Sequence, residues 1–246
     1  MHLNKITLNP EHYPTNDYYP FNLPIFHQTK EIPFESPVTF FVGENGTGKS
    51  TLLEAITHAC GIHIWRNPEG MRYKRNPYEK AMHYFLRVEW ANGRVPGSYF
   101  SSDTFRYFSY AVDEWAVNDE NQLNYFGGKS LVTQSHGQSL MAYFSSRYQI
   151  RGLYLIDEPE TALSAKSLLE LLHLLQGMAA AGHAQFIIAT HSPILMACPG
   201  AGIYSFDQTP VEKITYRETS HYQIYQDFFT NQDKLFPETG SKPLTG

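Results

Sequence analysis

Residues 43–50 read GENGTGKS, a full match to the pattern GxxxxGK[ST]. The glycines Gly43, Gly46 and Gly48 let a backbone turn its N–H groups inward around an anion, and Glu44, Asn45 and Thr47 complete the loop. Lys49 can reach the β- and γ-phosphates of a nucleoside triphosphate, and the Ser50 hydroxyl can ligate Mg2+. Loops of this kind serve kinases, GTPases, motors, transporters and repair machines, so the loop alone does not name the reaction.

Three further groups narrow it. Residues 153–156 are apolar and end in Asp157 and Glu158. At the tip of a strand Asp157 lies where open α/β sheets place ligands, and it would orient Mg2+ through water. Glu158 points differently and can accept a proton from an attacking water. A small-molecule kinase needs no such second carboxylate, so the pair favours hydrolysis. Ser135-His136-Gly137-Gln138 opens a helix ahead of that strand, and His191 follows the apolar run 186–189.

These residues need particular elements behind them. Residues 38–42, VTFFV, are continuously apolar between Pro37 and Gly43, the pattern of a strand buried on both faces. Leu52, Leu53, Ile56 and Cys60 recur at helical spacing from Ser50 onward, and Gly61 suits the C-terminal end. The spacing predicts a helix over 138–148, a second buried strand at 153–156, and a helix carrying Leu163, Leu168, Leu171, Leu172 and Leu175 to near Gly182. A third buried strand is expected at 185–189, an edge hairpin from 203–206 and 213–216, and a last helix over 221–229 capped by Thr219 or Ser220. The proline-punctuated residues 1–36 read as strands joined by turns, and residues 237–246 as a loose tail. The Tyr-, Phe- and Arg-rich stretch 62–128, with a strand-like run at 84–90, reads as an inserted lobe of short helices and loops. The expected fold is α/β: one domain over 1–246, a mainly parallel sheet flanked by helices, an N-terminal antiparallel strand region and the inserted helical lobe.

The order of the motifs is that of the ABC ATPases. The segments FFVGENGTGKSTLLEAI, SHGQS, GLYLIDEPETALS and QFIIATHSPILMACPGA resemble a group of small stand-alone ATPases of AAA type, akin to the ATPase heads of SMC, RecF and OLD proteins. The resemblance covers about 18–60 and 127–230. It implies the P-loop NTPase fold of ABC type and hydrolysis of ATP with Mg2+. Lys49, Ser50 and Thr51 would contact phosphates and Mg2+, Asp157 would hold Mg2+, Glu158 would activate water and His191 would read the γ-phosphate. Residues 161–164 resemble the D-loop. Ser135 and Gly137 would bind the γ-phosphate held by a second subunit, making an ATP-dependent, head-to-tail homodimer. The sequence departs from the pattern in two places. His136 stands where transporters commonly have Gly, and the coupling glutamine has no clear counterpart, Glu89 being a candidate substitute.

Composition bounds the role. A chain of 246 residues with 42% hydrophobic and 15% aromatic content can build a large core. Its two cysteines, Cys60 and Cys198, lie far apart, against a disulfide framework or zinc site and in keeping with a reducing compartment. No run is long enough to span a bilayer and no apolar signal core follows Met1, so a soluble cytoplasmic protein is expected, with no membrane partner. The interval from Lys49 to Ser135 leaves no room for a long coiled coil. Arg66, Arg72, Lys74, Arg75 and Lys80 admit contact with DNA or another nucleic acid, in a role such as DNA maintenance or defence. A net charge of −5 favours an ordinary solvated face, leaving a protein partner open. The alternative roles are the ATP-binding subunit of a membrane transporter and a P-loop small-molecule kinase.

Overall fold

The computed structural model describes residues 1–65, 76–119, 121–126, 128–133 and 136–232. In chain order the elements are β1 (Leu3–Leu8), α1 (Pro24–Gln28), β2 (Glu31–Pro33), β3 (Val38–Val42), α2 (Lys49–Ala59), β4 (Leu86–Trp90) and β5 (Gly97–Phe100). They continue with α3 (Ser102–Ala116), α4 (Asn121–Asn124), α5 (His136–Arg147), β6 (Gly152–Asp157), α6 (Ala165–Ala180) and β7 (Ala184–Ala189). The last are α7 (Pro193–Met196), β8 (Gly202–Ser205), β9 (Glu212–Ile214) and α8 (Ser220–Thr230).

Six strands form the central sheet in the order β5-β6-β7-β3-β8-β9, parallel except for β9. Because side chains alternate along a strand, each central strand feeds two cores. Phe41, Leu153, Leu155 and Ile187 point to the face covered by α2 and the antiparallel sheet. Phe40, Tyr154, Ile156, Phe186 and Ile188 point to the face covered by α5 and α6. On α6, Leu168, Leu171, Leu172 and Leu175 follow the i, i+3, i+4, i+7 rule and are all buried. Burying each is worth about 1.5–3 kcal/mol. Ser164 caps that helix by accepting from the Ser167 N–H at 3.2 Å. Gly61 and Gly182, just past α2 and α6, take φ of +71° and +74°, the left-handed turn that ends a helix.

The second sheet is antiparallel, in the order β2-β1-β4. Buried polar side chains join it to the first: the Tyr204 hydroxyl of β8 donates to the Pro33 carbonyl of β2, and a glutamine of β7 reaches β1. Gln185, in the otherwise apolar β7, accepts from the His2 and Leu3 N–H groups at 2.7 and 2.8 Å and donates to the Leu3 carbonyl at 2.9 Å. Both lone pairs of its oxygen and one of its two N–H donors are thereby used, which offsets the cost of burying it.

Several expectations shift. The span 62–128 contributes two strands as well as helices: β4 pairs with β1, and β5 runs parallel to β6 at the edge of the central sheet. Its helix α3 is long, with 15 residues and a capping box in which Ser101 and Thr104 satisfy each other's backbone N–H. Leu163 precedes α6 rather than belonging to it. In the C-terminal hairpin only β9 is an edge, since β8 also pairs in parallel with β3. Residues 237–246 lie outside the described residues.

Candidate nucleotide site

The phosphate loop leaves the carboxyl end of β3 and enters α2. Its backbone is one that only glycine adopts easily. Gly43 has φ of +139°, and a Cβ there would lie 2.9 Å from Asp207 Oδ1. Gly48 has φ of +101°, and a Cβ would lie 2.8 Å from Phe26 Cζ. The loop is pinned from outside as well: the Glu44 N–H donates to Asp207 Oδ1 at 2.7 Å. Inside it, the Lys49 ammonium donates to the carbonyls of Gly43 and Glu44 at 2.7 and 2.8 Å. Lys49 is only 4% exposed, and burial pulls its pKa below the usual lysine range, opposed chiefly by Glu158. Thr51, next along, shares a hydrogen bond with the Tyr19 hydroxyl.

The tips of β6 and β7 bring the other chemistry to the loop. Ser50 Oγ donates to Asp157 Oδ1 at 2.9 Å, and the Tyr99 hydroxyl donates to Oδ2 at 3.1 Å. Burial pushes the Asp157 carboxyl up to about 7, the two hydrogen bonds pulling back and Glu158 and Glu54 adding repulsion. A hydroxyl and an enclosed carboxylate form a hard oxygen pair, which suits Mg2+. These residues therefore fit the metal that the loop implies, with Ser50 and Asp157 to hold it.

Glu158 begins a turn with φ of +44°, the one non-glycine residue with positive φ among those described. Strain of this kind persists where the surroundings over-determine it, and it clusters at functional sites. It aims the carboxylate at His191, whose Nε2 lies 3.5 Å from Glu158 Oε1. Burial lowers the His191 pKa, with the Lys49 charge lowering it further, so the ring is neutral at pH 7. Glu160 holds the His191 segment by its backbone, accepting from the His191 N–H and from Thr190 Oγ1, the latter at 2.8 Å.

The structure thus assembles Lys49, Ser50, Asp157, Glu158 and His191 at one sheet edge. Gly137 is elsewhere, in the first turn of α5, with Ser167 Oγ of α6 as the atom nearest to where its side chain would begin, at 3.9 Å. Ser135, Arg66, Arg72, Lys74 and Arg75 lie outside the described residues. Glu89 is on β4 opposite Lys5, 4.0 Å from its ammonium on the antiparallel sheet, so it is not the residue that meets Ser50. Ser101 and Asp103 instead share with Ser50, Thr51 and Glu54 a cavity of ≈ 410 Å3. Sequence reasoning also missed Tyr99, Glu160, Asp207 and Tyr19, which hold the motifs rather than belong to them. The carboxylate of Asp-Glu-Pro-Glu two residues beyond Glu158 was the one visible signal for Glu160.

Two family models, both for AAA domains, match parts of the chain. One, described as "AAA domain", covers residues 22–83 and brackets the phosphate loop. The other, described as "AAA domain, putative AbiEii toxin, Type IV TA system", covers 137–197 and brackets Asp157, Glu158 and His191. No curated protein matches the chain. Among solved structures, cbiO1 from Clostridium perfringens, described as part of the ABC transporter complex cbiONQ, is 18% identical. The alignment covers 96% of this chain and 100% of that one, with a TM-score of 0.54. An inward-facing ABC transporter of proposed metal-chelate type is also 18% identical, covering 92% and 88%, with a TM-score of 0.50. An SMC head domain from Thermotoga maritima is 16% identical over 87% and 99%, at a TM-score of 0.41, too slight a likeness to weigh. The fold is that of ABC-class P-loop ATPases, and two separate stretches of the chain, which hold the phosphate loop and the Asp157, Glu158 and His191 group, match AAA-domain models. No helix among the described residues is long and apolar enough to cross a membrane.

Proposed function

We propose that this chain hydrolyses ATP to ADP and phosphate, and that two copies close head-to-tail on two ATP molecules, so that ATP sets the assembly state. The observation that carries the reading is the conformation of Glu158, held in the left-handed region with its carboxylate beside His191 and the phosphate loop. The loop amides and Lys49 bind the phosphates; Ser50 and Asp157 supply oxygens to Mg2+, which balances phosphate charge when bound. Glu158 takes the proton of the attacking water, and the neutral His191 orients groups at the γ-phosphate.

The position of Gly137 supports the dimer reading. It lies in the first turn of α5, with Ser167 Oγ of α6 nearest to where its side chain would begin, and in this reading the N-terminal end of α5 meets an anion brought by a second copy. The γ-phosphate then becomes the contact that ADP lacks, and closure depends on ATP through that difference alone.

Glu158→Gln keeps the size and removes the base. It should bind ATP, release no free phosphate and accumulate as a dimer with ATP, but not with ADP or without nucleotide, in light scattering. Adding Ser135→Arg should return it to monomers. An unchanged mass in all three conditions, or a double mutant that still dimerises with ATP, overturns the switch.

A further inference from the structure

Beyond the motifs, a corner between β8 and α8 reaches into the site. Thr219, 1% exposed, caps α8 by accepting from the Tyr222 N–H at 3.2 Å, and this fixes the helix start. The second helical residue, His221, is thereby turned toward His191. Its Nε2 lies 3.0 Å from His191 Nδ1, with the rings 5.1 Å apart and inclined at 63°.

Two neutral imidazoles facing each other share one proton between the facing nitrogens, and the choice of owner decides the rest. Burial is the main reason that both rings lie below the usual histidine pKa. If His191 kept the shared proton on Nδ1, its Nε2 would present a lone pair to the Glu158 carboxylate at 3.5 Å, acceptor against acceptor. If His221 donates, His191 carries its own proton on Nε2, facing Glu158. That buried Nε2 makes no hydrogen bond to any other group among the described residues. We propose that His221 is a positioning residue, donating its Nε2–H to His191 Nδ1 and so holding the His191 ring with an Nε2–H aimed at Glu158 and the γ-phosphate. The far side of the corner is tied to the phosphate loop. Ser220 Oγ donates its one proton to Asp207 Oδ2 at 3.2 Å, and Asp207 Oδ1 accepts from the Glu44 N–H; the 3.5 Å from Ser220 Oγ to His221 Nδ1 is at the limit of a hydrogen bond and does not hold a proton on that nitrogen. The start of α8 therefore grips both the loop that holds the phosphates and the histidine that senses them.

The kinetic part rests on the ATPase reading above; the tautomer does not. In the full chain labelled with 15N-histidine, without nucleotide, His191 (assigned with His191→Gln) should show a pyrrole-type Nε2 and a hydrogen-bonded, pyridine-type Nδ1. His221→Phe should move that Nδ1 toward the unbonded position. The same variant should lower kcat for ATP about tenfold, the low end of what losing an outer orienting partner costs, with KM changed less than about twofold. His221→Gln, whose amide keeps an N–H donor, should recover most of the rate. A pyrrole-type Nδ1 on His191, an unchanged kcat in His221→Phe, or equal loss in the Phe and Gln variants overturns the proposal. A wild-type chain that does not hydrolyse ATP but shows the expected tautomer sinks the function and leaves the pairing standing.

Discussion

The nucleotide edge and the α3–α5 face of the same sheet are held together by opposite means. At the edge, position is set by polar contacts of defined length: Ser50 to Asp157, Lys49 to two carbonyls, Glu160 to the His191 segment, His221 to His191. On the α3–α5 face it is set by rings. Phe144 lies 4.8 Å from Phe100 and 5.2 Å from Tyr148, and Tyr148 continues to Tyr154 and Phe186 at 4.6 and 5.1 Å. Aromatic packing tolerates small shifts, because its energy is spread over many contacts. Charged chemistry does not, since an ångström lost at a phosphate loses most of a hydrogen bond. The stable face therefore works as a platform, and the edge keeps the unfavourable features: a strained Glu158, a buried lysine and a carboxylate with a raised pKa.

Substitutions in the two regions should separate binding from folding. Lys49→Ala removes the one cation inside the loop. Hydrogen bonds to charged groups are worth about 1.5–3 kcal/mol each, so affinity for a labelled ATP analogue should fall beyond about 100-fold while the melting temperature holds. Phe144→Ala should do the reverse. It empties a fully buried site and should cost about 3–5 kcal/mol of stability in denaturant titrations, with ATP affinity of the folded fraction unchanged. If Phe144→Ala weakened ATP binding directly, the division drawn above would be wrong.

Within the edge, binding and chemistry should also part. His191→Ala should slow single-turnover hydrolysis about 100-fold, the usual cost of losing one oriented donor, and leave ATP affinity within about threefold. Hydrolysis at the wild-type rate would return His191 to the surface histidines.

The smallest effect should be a gain. Asp157 titrates near 7 in the folded chain, raised from 3.8. Below about pH 4 it is protonated folded or unfolded and contributes no difference. As pH rises toward 7 the unfolded chain ionises it while the fold resists, so stability is lost over that interval. Asp157→Asn, free of this cost, should melt higher than wild type at pH 8 in EDTA, by about 1–3 kcal/mol, and the advantage should shrink at pH 5. An equal gap at both pH values would mean that ionisation is not its cause.

The elements read most easily from the sequence are those whose signal is local. VTFFV, LYLI and QFIIA became β3, β6 and β7 because a strand buried on both faces needs a continuous apolar run, and each run ends at a residue with chemistry. β5 was missed because Gly97–Phe100 is four residues with little pattern, and it becomes a strand only by pairing with β6. Glu89 looked suitable by type and place in the chain; pairing of β4 with β1 sent it to another surface.

The sequence by itself determined the phosphate loop, the acidic pair, the histidine after β7 and the parallel core. Each is a short stretch in which residue type, backbone freedom and the neighbouring strand are covalently adjacent, so the chemistry is written within about ten residues. The tertiary structure alone decided which side chains tune those groups. Asp207 lies 163 residues from Glu44 and Asp157 lies 107 from Ser50, and His191 and His221 are 30 apart on separate elements. No periodicity links such pairs. They meet because the parallel sheet gathers the carboxyl ends of its strands on one edge, and a polar contact there is specified by geometry that no local pattern encodes.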